Sequence, residues 1–92
     1  MKNETPHVHF LGIGGIGVSA VDRLCLAQGR AVSGSDVRES SITKALVSEG
    51  ADVVIGHDPD NLAGADLVVR STAIPDTHPE LIGAEESRVP YV

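Results

Sequence analysis

Four glycines fall within six residues, Gly12-Ile13-Gly14-Gly15-Ile16-Gly17, directly after the apolar run Val8-His9-Phe10-Leu11, and an acid, Asp36, stands 22 positions beyond Gly14. A glycine turn from a strand into a helix leaves unpaired backbone N–H groups at the positive end of a helix dipole, which is the chemistry of a phosphate cradle. Gly12 is expected to permit the tight turn, Gly14 to let phosphate reach the backbone, Gly17 to let the helix pack closely on the sheet, and Gly15 to widen the opening. A diphosphate is expected over Gly14–Gly17, with Ile16 inside the run and Ser19 offering a hydroxyl from the first turns. Asp36 sits where such folds place an acid that accepts from a nucleoside, either ribose hydroxyls or a uracil N–H. The same acid would also serve as a cap to the turn that follows it.

Further candidates lie at strand ends. Ser71, Thr72 and Ala73 follow an apolar Leu67-Val68-Val69 and are expected across the crevice from the glycine loop. Arg70, between them, reads as a solvated end to that strand or as a phosphate contact. His57, just past a third apolar run, is expected near Asp36 on the uridine side. His7 and His9 share one side of the first strand, yet two histidines without further ligands are a weak metal signal, and no metal is assigned. Cys25, the single cysteine, has no cationic neighbour in sequence and reads as an inert core thiol. No G-x-x-x-x-G-K-[ST] motif occurs, so ATP hydrolysis by these residues alone is not expected, and no catalytic residue is assigned.

The elements needed to position these groups follow from the apolar pattern. A strand ending at Leu11 leads into a helix beginning near Gly15, in which Val18, Val21, Leu24 and Cys25 form the inward face while Asp22 and Arg23 fall off it. That helix stops at Gln28-Gly29. Ala31 to Asp36 is a second strand, Ser40 or Ser41 caps a second helix with Ile42, Ala45 and Leu46 inward, and Ala51–Ile55 is a third strand. Turn chemistry at residues 57–61 precedes strand four. Pro79 opens a third helix running to about Glu86, and Val89–Val92 is expected as a fifth strand, at an edge because of Pro90. Alternating strands and helices predict an α/β, Rossmann-like three-layer fold: a five-stranded parallel sheet of order 3-2-1-4-5, with helices on both faces. Its ligand crevice falls between strands one and four.

The chain has 92 residues, a formal net charge of −6, 41% hydrophobic content and two aromatics, Phe10 and Tyr91. That is one small domain of the wrong charge for a nucleic acid or an anionic membrane, and with few aromatics on which bases would stack. With no signal-like segment and no membrane-length apolar run, a cytoplasmic location is expected.

The stretch His9-Phe10-Leu11-Gly12-Ile13-Gly14-Gly15-Ile16-Gly17-Val18-Ser19, followed by Val32-Ser33-Gly34-Ser35-Asp36, resembles the N-terminal domain of the Mur ligase family, in the branch that joins L-alanine to UDP-N-acetylmuramate. The likeness continues through Gly50-Ala51, Gly56-His57, Asp66–Val69, Ser71–Ile74, Pro79-Glu80 and Arg88–Pro90. Val18 stands where the family usually has Met, and Thr72 replaces a common Ser. The resemblance implies that residues 1–92 hold the UDP moiety of UDP-N-acetylmuramate for peptidoglycan synthesis. It also implies no cofactor here, since ATP and Mg2+ would belong to central and C-terminal domains that these residues do not include, so the fragment alone is expected to be inactive. On physical grounds alone, the glycines and Asp36 would equally suit an NAD-binding module of an oxidoreductase or a redox-sensing regulator. A non-catalytic interaction domain with a vestigial loop is the third reading.

Overall fold

A computed structural model describes residues 6–71 and 73–92, with the side chain of Ile16 left out. In chain order the elements are β1 (His7–Leu11), α1 (Ile16–Ala27), β2 (Ala31–Asp36), α2 (Ser41–Ser48), β3 (Asp52–Ile55), a 3-10 turn (Pro59–Leu62), β4 (Leu67–Arg70) and α3 (Pro79–Glu86). The strands pair in the order β3-β2-β1-β4, all parallel.

Alternation along the strands sorts the sheet into two faces. Val8 and Phe10 of β1 join Val32, Ile13, Val18 of α1 and Leu46 of α2 in one core. Leu11 and Val68 point the other way, against Leu81 and Ala84 of α3 and Leu62 of the 3-10 turn. Helices therefore cover both faces, as the alternating pattern predicts.

The expected fifth strand is not formed; the sheet has four strands. Residues 90–92 do lie along the outer edge of β4, where Val68 donates to the Pro90 carbonyl at 2.9 Å, Val92 donates to Val68 at 3.0 Å and Arg70 donates to Val92 at 3.0 Å. The first two bonds bracket Tyr91 and give an isolated parallel bridge to Val68, and the third lies at the last residue, Val92. Pro90 has no N–H to extend the ladder, and Arg88 just upstream takes a left-handed turn at φ 60°.

The inward face of α1 also differs from expectation. Val21 and Leu24 are 43% and 57% exposed, whereas Asp22 is completely buried. The buried arc runs through Val18, Asp22, Cys25 and Leu26, a stripe of the same helical period rotated toward Leu26. Other punctuation matches the sequence. Gly29 ends α1 at φ 79°, and Ser40 caps α2 in a reciprocal pair with Thr43.

Candidate functional site

The loop after β1 is pinned from beneath before it offers anything to a ligand. Gly12 turns at φ 72°, and the amides of Gly12 and Ile13 both donate to the Ser35 carbonyl, at 2.9 and 3.0 Å. The Ile13 side chain is fully buried over Gly34, where a Cβ would come within 2.5 Å of Ile13 Cδ1. The Gly14 amide donates to Asp36 Oδ2 at 2.9 Å, and the Val37 amide donates to Asp36 Oδ1 at 2.7 Å. Gly14 is wedged there, since a Cβ would lie 2.8 Å from that carboxylate and 2.9 Å from Thr43 Cγ2.

The donors left over belong to the first turn of α1. Gly15 is its N-cap and supplies no side chain, and the first helical bond runs from the Ser19 amide to the Gly15 carbonyl. The amides of Ile16, Gly17 and Val18 therefore have no partner among the described residues. Gly17 is exposed, and a Cβ there would meet nothing within 4 Å. Its expected role in close helix–sheet packing is thus replaced by openness. A Cβ at Gly15 would press at 3.2 Å on the Gly12 carbonyl and on Val18, consistent with a glycine that keeps the loop narrow.

Beside these amides lies a cavity of about 360 Å³ lined by Gly12, Gly14 and Gly15, by Asp36, Val37, Arg38 and Ser40, and by Ser71, Ala73 and Ile74 across the crevice. The sheet thus gathers most of the sequence-predicted site in one place. Ser19 is buried in α1 and stands outside this lining. Thr72 lies outside the described residues, as does the side chain of Ile16. Arg38, Ser40 and Ile74 are additions. Arg38 was signalled by its position two residues past the end of β2, and it is exposed with no hydrogen-bond or ion-pair partner among the described residues. Arg70 does not enter this cavity. Its guanidinium pairs with Asp76 at 2.6 Å, and it lines a neighbouring groove of about 510 Å³ with Gly17, Val18, Val21 and Val69.

His57 is placed elsewhere, in a buried polar cluster under α3. Glu80 is fully buried and accepts from His9 Nε2 at 2.7 Å, Ser35 Oγ at 2.9 Å, the Asp58 amide at 3.0 Å and Asn61 Nδ2 at 3.0 Å. Because Ser35 gives its proton to Glu80, it accepts from His57 Nδ1 at 2.9 Å, which fixes the proton of that ring on Nδ1. Burial acts to raise the Glu80 pKa, but the donors from His9, Asn61, Ser35 and Asp58 outweigh it and hold the carboxyl at about 2. His78 caps α3 by accepting from the Glu80 amide at 3.1 Å, and burial, with His57 beside it, lowers its pKa. The paired His7 and His9 both meet Ser33 Oγ, at 2.6 and 2.7 Å. Among the described residues no group of three or more His, Cys, Asp or Glu is arranged to hold a metal ion, and no helix is long and apolar enough to cross a membrane.

Known proteins with this sequence and shape are consistent in kind. Residues 7–92 match the Mur ligase family, catalytic domain. A UDP-N-acetylmuramate–L-alanine ligase of Thiobacillus denitrificans is 46% identical over 92 residues, all of this chain and 20% of that protein, and the Clostridium novyi protein of the same name is 47% identical over 89 residues, 97% of this chain and 19% of its own. Among solved structures, the UDP-N-acetylmuramate-alanine ligase of Thermotoga maritima superposes with a TM-score of 0.88 at 39% identity, over 92% of this chain and 20% of that one. A murein peptide ligase of Psychrobacter arcticus gives 0.86 at 27%, over 95% and 18%. A chain solved with NADP+ and (+)-pinoresinol gives 0.72 at 19% identity, over 98% and 36%, and shares the fold alone. The chain spans about a fifth of the length of its ligase relatives. The family match runs from the first residue of β1 to Val92 and so takes in every element that builds the cavity: the chain belongs to the Mur ligase family.

Proposed function

We propose that this chain holds the UDP moiety of UDP-N-acetylmuramate for an ATP-dependent ligase that joins L-alanine to it in cytoplasmic peptidoglycan synthesis. The observation that carries the reading is the uncapped first turn of α1, opening beside a cavity that the glycine loop and Asp36 line on one side and Ser71 on the other. The amides of Ile16, Gly17 and Val18 would hold the diphosphate, each charged hydrogen bond contributing roughly 1.5–3 kcal/mol. The nucleoside would lie in the cavity. Asp36 already accepts from the Gly14 and Val37 amides, yet a carboxylate has about four lone-pair sites and so retains capacity for a ribose hydroxyl or the uracil N–H. Arg38 would offset the charge of the bound anion in a chain of net charge −6, and Ser71 offers a hydroxyl from the opposite wall. His57 would act on this site at one remove, through Ser35 beneath the loop.

No residue here is assigned to bond making. ATP and Mg2+, and the activation of the muramoyl carboxylate that they serve, are assigned to the parts of the ligase beyond the fifth that this chain matches. The 92-residue chain is accordingly expected to bind and not to turn over.

The test is an amide-resolved NMR titration with UDP-N-acetylmuramate, UDP and NAD in parallel. Shifts at residues 12–19, 36–38 and 71 with both uridine ligands, and none with NAD, are expected. The reverse pattern would make this a dinucleotide module.

A further inference from the structure

Among the described residues, Asp22 is the one carboxylate buried in an apolar core without a partner. It lies at the centre of the inward arc of α1, fully buried, and neither carboxylate oxygen has a hydrogen-bond partner among the described residues. The strands behind α1 present Val8 and Phe10 from β1, Val32 and Gly34 from β2, and Leu67 and Val69 from β4, none of them titratable. The charges of α2 and its C-cap are engaged elsewhere: Glu49 holds the Arg23 guanidinium at 3.0 Å in solvent, and Lys44 is turned toward Glu39 at 3.9 Å. On α1 itself Arg23 follows in sequence, and Cys25 lies half-buried one turn on.

An ionised carboxylate in this place loses its hydration and gains no donor, whereas the neutral acid loses far less. We propose that Asp22 is a proton-dependent latch: α1 docks fully on the sheet when Asp22 is protonated and loosens when it ionises. The helix concerned is the one whose first turn presents the free amides, so the latch sets the rigidity of the cradle whatever ligand that cradle takes.

The sign follows from burial, which pushes the Asp22 pKa from 3.8 up to about 7 against a smaller opposing pull from Arg23. Between those values the folded chain keeps a proton that the unfolded chain has released. Stability from this group is therefore complete below about pH 4, falls as pH rises, and is lost above about 7. The ratio spans roughly a thousandfold in the folding equilibrium.

Two measurements on the 92-residue chain test it. The side-chain carboxyl carbon of Asp22, followed by NMR from pH 4 to 9, is expected to titrate near neutrality; a midpoint in the ordinary range near 4 would overturn the latch. Amide exchange, corrected for its intrinsic pH dependence, is expected to show protection of α1 falling between pH 5 and 8 more than that of α3, in the native chain but not in Asp22→Asn or Asp22→Leu. The leucine variant keeps the comparison open if the asparagine variant folds poorly. Equal loss in all three proteins, or loss spread evenly over α1 and α3, would sink the proposal.

Discussion

Gly14 and Gly17 differ by three positions and by nearly everything else. Around Gly14 a methyl group would meet the Asp36 carboxylate and Thr43 at under 3 Å, whereas around Gly17 it would meet nothing. Gly14→Ala is expected to break the bond from the loop to Asp36 and to destabilise the fold by about 1–3 kcal/mol, the range for an overpacked site. Gly17→Ala should leave the fold intact or raise stability by up to about 1 kcal/mol, because alanine suits a helix better. Its cost should appear in binding, where the methyl projects into the space a phosphate would use. Urea denaturation and UDP titration of the two variants separate the roles, and comparable stability losses would contradict the geometry.

Each helix start is handled differently. Ser40 and Thr43 close the N-terminus of α2, and His78 closes that of α3, but α1 begins at a glycine with no side-chain acceptor. Gly15 at the start of α1 lines the cavity, and so does Ser40 at the start of α2. Ser40→Ala is expected to cost about 1 kcal/mol in the urea midpoint, and to disturb the cavity wall that Ser40 shares. No change in midpoint would mean that the pair with Thr43 contributes nothing. These starts and stops were legible in the chain. Serine before an apolar stripe, glycine after one, and proline at the first helical position each act through local chemistry. What was not legible depended on partners distant in sequence. The rotation of α1 against the sheet does not follow its own apolar stripe, from which Val21 and Leu24 were expected inward and Asp22 outward. The cluster around Glu80 draws on residues 9, 35, 58 and 61, and Pro79-Glu80 read locally gives only a helix start. Arg38 carried a positional hint and nothing more. The fifth strand stops at an isolated bridge because Pro90 has no N–H to extend the pairing upstream of Tyr91.

Two buried acids give the domain opposing responses to pH. Glu80, held at about 2 by its donors against the ordinary 4.5, stabilises the fold above pH 4.5 and loses that contribution as pH falls toward 2. The difference corresponds to about 3 kcal/mol. Asp22 withdraws its contribution in the other direction, as pH climbs from about 4 to 7. From these two acids the chain is expected to be most stable near pH 4, between the ordinary values of 3.8 and 4.5, in contrast to the near-neutral optimum of most domains. Urea midpoints measured from pH 3 to 8 should trace this dome. Glu80→Gln should remove its acid limb and lower stability by about 3–5 kcal/mol at every pH above it, because an amide places its own N–H groups against donors. A flat profile in the native chain would contradict both assignments.

The contact between Ile13 and Gly34 has a consequence for how such a sequence changes over generations. A side chain at position 34 would meet the Ile13 Cβ at 2.6 Å and the Phe10 carbonyl oxygen at 2.8 Å, so even trimming Ile13 does not open that position. Trimming Ile13 would in any case leave a cavity costing about 2–5 kcal/mol, a large share of the stability of a small domain. Neither position is free to change in a single step, and the loop and the second strand are inherited as one unit.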